Sequence, residues 1–104
     1  MRATPESSET IGALRGKEKF VEEDFYPGAP NEDIRLRCQA RVDQLIDDVQ
    51  ALLGRDASKE QILARAKRTI DSFDEEDTEE REKVGDYIGE IMRAIGLEDW
   101  TDVI

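Results

Sequence analysis

The apolar side chains of this chain recur in steps of three and four, and nowhere do they alternate over four or more positions. Such spacing is typical of α-helices and not of β-strands. The clearest case runs from Thr78 to Leu97, where Asp77 or Thr78 can cap the start and Gly96 closes the end. Its apolar stripe consists of Val84, Ile88, Ile91 and Ile95. The pattern therefore predicts an all-α fold.

Two more long helices are predicted before this one. Asn31 can cap the first, which covers residues 31–53. Its buried stripe is predicted to be Ile34, Cys38, Val42, Leu45, Val49 and Leu52. Ser58 opens the second, and Gln61 completes a capping box. The inward face of this helix is predicted to be Ile62, Leu63, Ala66, Ile70 and Phe73. Since the loop over residues 55–57 is short, the two helices should run antiparallel.

The segment before these helices divides into two parts. Residues 1–19 predict a short N-terminal helix or arm, because Thr4 and Pro5 suit a cap and a first helical position. Residues 20–30 (FVEEDFYPGAP) predict an ordered connector with Pro27 and Gly28 as the central pair of a type II turn. Three aromatic side chains make the connector too apolar for a free linker and are expected to fill gaps between helices: Phe20, Phe25 and Tyr26.

These segments together predict one helical domain over residues 1–104, a common size for an independent unit. Its helical core spans residues 31–97. Residues 98–104 form an apolar tail, which either covers the bundle or presents Trp100 to a partner, since tryptophan is enriched at interfaces. The apolar residues of the tail are Trp100, Val103 and Ile104. The predicted architecture is a small antiparallel bundle of three long helices plus a short N-terminal helix.

The charge of the chain is strongly negative and unevenly distributed. Fifteen lysines and arginines against 26 acidic residues give a net charge of −11. From Asp74 onward there are 12 acidic and three basic residues, so −9 of this charge lies in the last third. Nucleic-acid binding is not expected, because phosphate attraction requires a basic surface. A protein partner with a basic surface is the complementary expectation.

The sequence offers little for catalysis or metal binding. It contains no histidine, and its single cysteine, Cys38, falls on a predicted apolar stripe. The acidic run over residues 74–82 lacks the glycine and ligand spacing of a calcium loop, and it is expected to be a solvated loop and helix N-terminus. Acid pairs one turn apart, Glu82 with Asp86 or Asp86 with Glu90, are expected to be surface charges. We expect no enzyme activity, no cofactor and no metal. The absence of a signal peptide, of a membrane-length apolar run and of disulfides predicts a cytoplasmic protein without membrane association.

Two glycines stand out within the last predicted helix. Gly85 and Gly89 together destabilise it by roughly 2 kcal/mol relative to alanine, and they lie on one side, four residues apart. Their presence predicts a close approach of another helix of the fold or of a partner. The candidate partner-binding residues are therefore Glu79, Glu82, Gly85, Asp86, Gly89 and Trp100.

Three segments give the chain a family resemblance: residues 25–29 (FYPGA), 77–82 (DTEERE), and 87–92 (YIGEIM) continuing into 95–98 (IGLE). Together they resemble the bacterial family known as domain of unknown function 4844. The likeness spans roughly residues 20–98. Where members of that family continue with a serine-rich, glycine-containing tail, this chain has Asp99-Trp100-Thr101-Asp102. The resemblance implies a small, mostly helical bacterial domain and no catalytic residue.

Three functional hypotheses follow. The first is a non-catalytic protein-binding module that masks a basic partner surface, as immunity proteins and antitoxins do. The alternative is a homodimeric structural or regulatory module with Gly85, Gly89 and Trp100 at a two-fold interface. The third, an enzyme using carboxylates with Tyr87 or Lys83, is the least favoured, because the sequence shows no catalytic pattern around them.

Overall fold

The protein is all-α, as the spacing of its apolar residues predicts. The structure, a computed structural model, describes residues 1–102; the predicted roles of Val103 and Ile104 lie outside this range. The α-helices are α1 (Pro5–Gly16), α2 (Glu32–Gly54), α3 (Lys59–Asp71) and α4 (Thr78–Ala94). A single 3₁₀ turn, Trp100–Asp102, follows them. Among the described residues no strand forms, and one isolated bridge joins Glu23 to Tyr26.

The starts of the helices follow from their capping residues. Thr4 and Ser7 form a capping box at α1, and Ser58 and Gln61 form the predicted one at α3. At α2 the side chain of Asn31 accepts the amide of Ile34 at 2.9 Å. The start of α4 differs from expectation: Asp77 occupies the cap position, but its side chain makes no capping hydrogen bond.

The end of α4 is a glycine cap. Gly96 has a φ of +80°, a conformation that favours glycine. The amide of Leu97 donates to the carbonyl of Met92 at 2.8 Å, and that of Gly96 donates to Arg93 at 3.1 Å. This pair of bonds is the Schellman arrangement. It buries Leu97 and directs the chain back toward α4.

The core lies between the four helices and is built from the predicted apolar stripes. In α2 it also takes in Ile46 and Leu53, while Ile34 and Leu52 are only partly buried. The antiparallel arrangement of α2 and α3 is visible in one ion pair between them and in a second that joins α2 to the loop after α3. Arg65 of α3 bonds Asp48 at 2.6 Å, and Glu76, just after α3, bonds Arg37 near the start of α2 at 2.6 Å.

The connector between α1 and α2 contributes two of its three aromatic side chains to the core. Phe20 is fully buried and packs against Phe73 and Tyr87, with ring centroids 5.7 and 5.0 Å away. Tyr26 is buried beside it. The expectation that Phe25 also fills a gap is wrong, because its relative exposure is 107%. The reason is that Phe25 sits at the tip of a turn, one residue before the chain re-enters the core at Tyr26.

The turn in the connector also lies elsewhere than predicted. Gly28 has the expected positive φ of +87°, but the amide of Ala29, which would close a turn around Pro27 and Gly28, donates to the carbonyl of Phe20 at 3.0 Å. A methyl group on Gly28 would lie 3.1 Å from the backbone nitrogen of Glu22. Glycine is therefore required here by a close approach of the connector to itself as well as by its φ.

Candidate functional site

The hydrogen-bonded turn of the connector spans Glu23 to Tyr26, and we refer to it as the aromatic turn. The amides of Glu23 and Tyr26 each donate to the other's carbonyl at 3.0 Å, so the turn is closed on both sides. Phe25 occupies its third position with a φ of +65°. For a residue with a bulky side chain this left-handed conformation is unfavourable. The turn thus holds a large apolar ring in solvent on a strained backbone.

Tyr26 anchors the aromatic turn in the core. Its hydroxyl donates to the carboxylate of Glu80 at 2.8 Å, and its ring meets that of Phe20 edge-on at 6.5 Å. Burial, reinforced by the neighbouring Glu80 carboxylate, raises the pKa of the Tyr26 hydroxyl well above its usual range. Glu80 itself is 2% exposed. The position of the turn is therefore fixed relative to the first residues of α4.

A second contact ties the other end of the aromatic turn to α4. The ammonium of Lys83 donates to the carboxylate of Glu23, and this hydrogen bond lowers the pKa of Glu23. Lys83 also lies 5.4 Å from the ring centre of Tyr26 and 5.3 Å from that of Tyr87, within the range of cation–π attraction. The ammonium of Lys83 is therefore paired with Glu23 at the turn, and it also attracts the nearby carboxylate of Asp86.

Three of the predicted partner-binding residues meet beside this turn. Glu79, Glu82 and Asp86, which we call the acidic edge of α4, are all exposed. They line a cleft of about 210 Å³ together with Phe25, Tyr26 and Lys83. Among the ion pairs and side-chain hydrogen bonds within residues 1–102, none involves a member of the acidic edge. Their negative charge thus faces solvent without a partner in the described fold.

The other three predicted residues lie away from this cleft. Gly89 is buried, and a methyl group on it would stand 3.4 Å from Cζ2 of Trp100. A side chain at this position would therefore make an ordinary van der Waals contact with Trp100, which is half-buried against the core, whereas the sequence predicted the approach of another helix or of a partner. Gly85 is different, because a methyl group there would meet nothing within 4 Å.

Two of the side chains considered for catalysis, Tyr87 and Cys38, are buried in the fold. The hydroxyl of Tyr87 accepts the amide of Phe20 at 2.8 Å, and Tyr87 is buried. Cys38 is fully buried, and burial raises the pKa of its thiol to about 11. Such a thiol is inert at neutral pH. Within residues 1–102, no group of three or more potential ligands is arranged to hold a metal ion.

A second concave surface, of opposite charge, lies between α2 and α3. This groove has a volume of about 410 Å³ and an apolar floor that includes Leu52 and Ala64. Arg55, Arg65 and Arg68 line it, against the single carboxylate of Asp48. It is therefore the basic counterpart of the acidic edge on the same molecule.

Sequence reasoning missed three residues of the aromatic turn and its supports. Glu80 was expected on the surface with its neighbours, and Lys83 had no assigned partner. Phe25 was expected in the core, because in a loop nothing in the order of residues distinguishes it from Tyr26. The available signal was the position of Pro27 directly after Tyr26, which limits the backbone but does not say which ring is buried.

Comparison with protein families places the fold and this site in context. A family model described as "Domain of unknown function (DUF4844)" matches residues 2–103. The chain belongs to this family. The resemblance seen in the sequence is confirmed, and the DUF4844 match extends beyond residues 20–98 at both ends. Searches of curated proteins and of solved structures gave no match. In the described part of this DUF4844 domain, no helix combines the length and apolar character needed to cross a membrane.

Proposed function

We propose that this DUF4844 domain is a non-catalytic protein-binding module that covers a basic surface on a partner protein, as immunity proteins and antitoxins do. The observation that carries the proposal is the acidic edge of α4. Glu79, Glu82 and Asp86 are exposed together on one side of a helix, with no ion pair to any residue between 1 and 102. A folded protein gains little by grouping like charges in this way, whereas a basic partner would be bound by them.

The overall charge supports the same proposal. A net charge of −11 attracts a basic protein over a distance of about 8–10 Å at physiological salt and accelerates its association. Elsewhere on the molecule many acids are paired with arginine, as Glu76 is with Arg37 and Arg41. Other exposed acids between residues 1 and 102, such as Glu9 and Glu60, also lack an ion pair, and the acidic edge differs from them because its three carboxylates line one cleft. The proposal includes a cytoplasmic setting, for which a single reduced cysteine is suited.

The non-catalytic part of the proposal is supported by the environment of the polar groups. The carboxylates of the acidic edge are solvated, and solvated carboxylates are weak general bases. Tyr87 and Lys83, the other candidates for chemistry, are engaged with Phe20 and Glu23. The alternative of a homodimer through Gly85, Gly89 and Trp100 has less support, because Trp100 already covers Gly89.

Two charge-matched variants test the proposal. Glu82→Lys with Asp86→Lys reverses two charges of the acidic edge, and Glu9→Lys with Glu60→Lys reverses two exposed acids on α1 and α3. Each variant changes the net charge from −11 to −7, since every reversal adds two units.

Each protein is immobilised and exposed to extract of the source cell at low and at high ionic strength. We expect a basic protein that is retained by the wild type and by the control at low salt, lost at high salt, and lost from the acidic-edge variant at both. Equal retention by the two variants, or retention of no protein, would refute the proposal.

A further inference from the structure

Phe25 combines two unfavourable features in one residue. Its ring has a relative exposure of 107%, and its φ is +65°. The left-handed conformation is unfavourable for any residue with a side chain, because Cβ approaches the following carbonyl oxygen. A single exposed apolar side chain is ordinary on protein surfaces. An exposed ring on a strained backbone is not, because glycine, asparagine or aspartate would adopt that turn with less strain.

Phe20 has the same kind of backbone strain, but its side chain is buried. Its φ is nearly the same, +62°, but its side chain is fully buried among the rings of Tyr26, Phe73 and Tyr87. Burial of a phenylalanine side chain stabilises a fold through the hydrophobic effect, and this stabilisation offsets the strain at Phe20. Phe25 has the strain without the burial. Within the described fold no burial of the Phe25 side chain offsets its backbone strain.

The aromatic turn also holds Phe25 in place before any partner arrives. Two backbone hydrogen bonds close it, Tyr26 anchors it to Glu80, and Glu23 is fixed by Lys83. A pre-ordered aromatic ring loses little conformational entropy on binding, which is why such rings act as anchors at interfaces.

The charges around the ring define what it can contact. Phe25 lines one cleft with the three carboxylates of the acidic edge, so any surface that covers the ring must also neutralise them. An anionic membrane or a nucleic acid would be repelled. A protein surface with apolar side chains flanked by lysine or arginine satisfies both requirements, and a basic amphipathic helix is the simplest form of it.

We infer that Phe25 is the apolar anchor of the binding site, inserted among apolar side chains of a partner surface whose lysines or arginines pair with Glu79, Glu82 and Asp86. This inference rests on the proposed function and specifies the partner: its surface is amphipathic as well as basic. In such an interface the buried ring provides most of the affinity, while the surrounding charges set orientation and rate of association.

Two synthetic peptides of equal charge test the inference. One is an amphipathic helix of lysine and leucine, and the other carries serine in place of every leucine. Each is titrated into isotopically labelled protein, with backbone amide shifts as the readout. We expect the lysine–leucine peptide to bind more tightly and to shift residues 23–26 and 79–86, while the groove between α2 and α3 stays unchanged.

Three variants identify the contribution of the ring. Phe25→Ala should lower the affinity of the protein for the lysine–leucine peptide by about tenfold, which is the size of effect expected for an interface anchor. Phe25→Trp should retain binding. Leu36→Ala removes another large exposed apolar side chain, which is 49% exposed on α2, and should leave peptide binding unchanged. Circular dichroism confirms that each variant is folded, which is expected because neither Phe25 nor Leu36 is part of the core.

The possible failures are distinguishable. If both peptides bind equally through the acidic edge and Phe25→Ala has no effect, the anchor is refuted and the proposed function stands. If shifts map to another acidic segment, such as residues 74–76, the anchor is refuted as well. If neither peptide binds, both the anchor and the proposed basic partner are refuted.

Discussion

The hydroxyl of Tyr26 donates a hydrogen bond of 2.8 Å to the carboxylate of Glu80, and both groups are buried. No ion pair within residues 1–102 involves Glu80, which lies in the first turn of α4. The buried carboxyl group of Glu80 is therefore stabilised by the positive end of the α4 dipole and by the hydroxyl of Tyr26. This contact joins the connector to α4, and so it sets Phe25 next to the acidic edge.

Removing this hydroxyl should destabilise the fold. Tyr26→Phe leaves a buried carboxyl oxygen without its donor, which lowers the free energy of unfolding by about 1–3 kcal/mol. Urea unfolding followed by circular dichroism measures the change. Glu82→Gln, which alters an exposed glutamate on the same helix, is the control and should stay within about 0.5 kcal/mol of the wild type. A Tyr26→Phe variant as stable as that control would show that the hydrogen bond is not needed.

The buried pair of Lys19 and Asp43 should respond unequally to loss of its two members. Lys19 Nζ donates to Asp43 at 2.7 Å, and Asp43 is also 3.3 Å from Arg15. Asp43→Ala leaves the Lys19 ammonium, whose side chain is 2% exposed, with only the carbonyl of Lys17. We expect a loss of about 3–5 kcal/mol in the free energy of unfolding.

Lys19→Met should lower the free energy of unfolding by less than Asp43→Ala does, since Arg15 still faces Asp43. The double variant Lys19→Met with Asp43→Leu should lose less than the sum of the single losses, because no buried charge is left alone. Urea unfolding of all three proteins supplies the comparison. Equal losses for the two single variants would contradict this description of the pair.

Alanine should have opposite effects on stability at Gly85, within α4, and at Gly96, just after it. Gly85 lies within α4 with open space around it, so Gly85→Ala should raise the free energy of unfolding by about 0.5–1 kcal/mol through helix propensity. Gly96 has a φ of +80°, so Gly96→Ala should lower it by about 1 kcal/mol. Thermal unfolding of the two variants and the wild type shows whether each substitution raises or lowers stability. A destabilised Gly85→Ala would mean that something approaches this side of α4.

Acid should weaken the contact between Glu76 and the start of α2. The Arg37 guanidinium, bonded at 2.6 Å, and Arg41 hold the pKa of Glu76 below its usual 4.5. Because the folded-state pKa is the lower one, this contact contributes fully above pH 4.5 and is lost as the pH falls below it.

The measurement is the free energy of unfolding of wild type and of Glu76→Gln between neutral and acid pH. The wild type should lose stability more steeply below pH 4.5 than the variant, by at most about 1.4 kcal/mol per pH unit for one group. Parallel curves for the two proteins would rule out a contribution from Glu76.

The helices and their ends could be predicted from the sequence because they depend on neighbours in the chain. Spacing identifies the buried stripe of a helix, and Asn31, Ser58 and Gly96 act within three or four residues of themselves. At Gly89 the sequence predicted a close approach of another helix of the fold or of a partner, whereas the group that lies beside it is the side chain of Trp100.

The candidate site could be predicted only in part, because it depends on contacts between distant segments. The charges of Glu79, Glu82 and Asp86 were visible in the sequence. Their neighbour Glu80 is buried by a tyrosine 54 positions away, which no local pattern reveals. For the same reason Phe25 could not be separated from Phe20, since both occur in one short connector of similar composition.

The comparison of these two phenylalanines tests the account most directly. The decisive measurement is the free energy of unfolding of Phe20→Gly and of Phe25→Gly, by urea and circular dichroism under one set of conditions. Both substitutions relieve a φ near +60°. Phe20→Gly should lower the free energy of unfolding by about 3–5 kcal/mol, because it removes the buried ring that packs against Phe73 and Tyr87. Phe25→Gly is predicted to be at least as stable as the wild type, because its ring supports nothing in the described fold. A loss of more than about 1 kcal/mol at Phe25 would contradict the account, since the ring would then stabilise the fold itself and its exposure would need no partner.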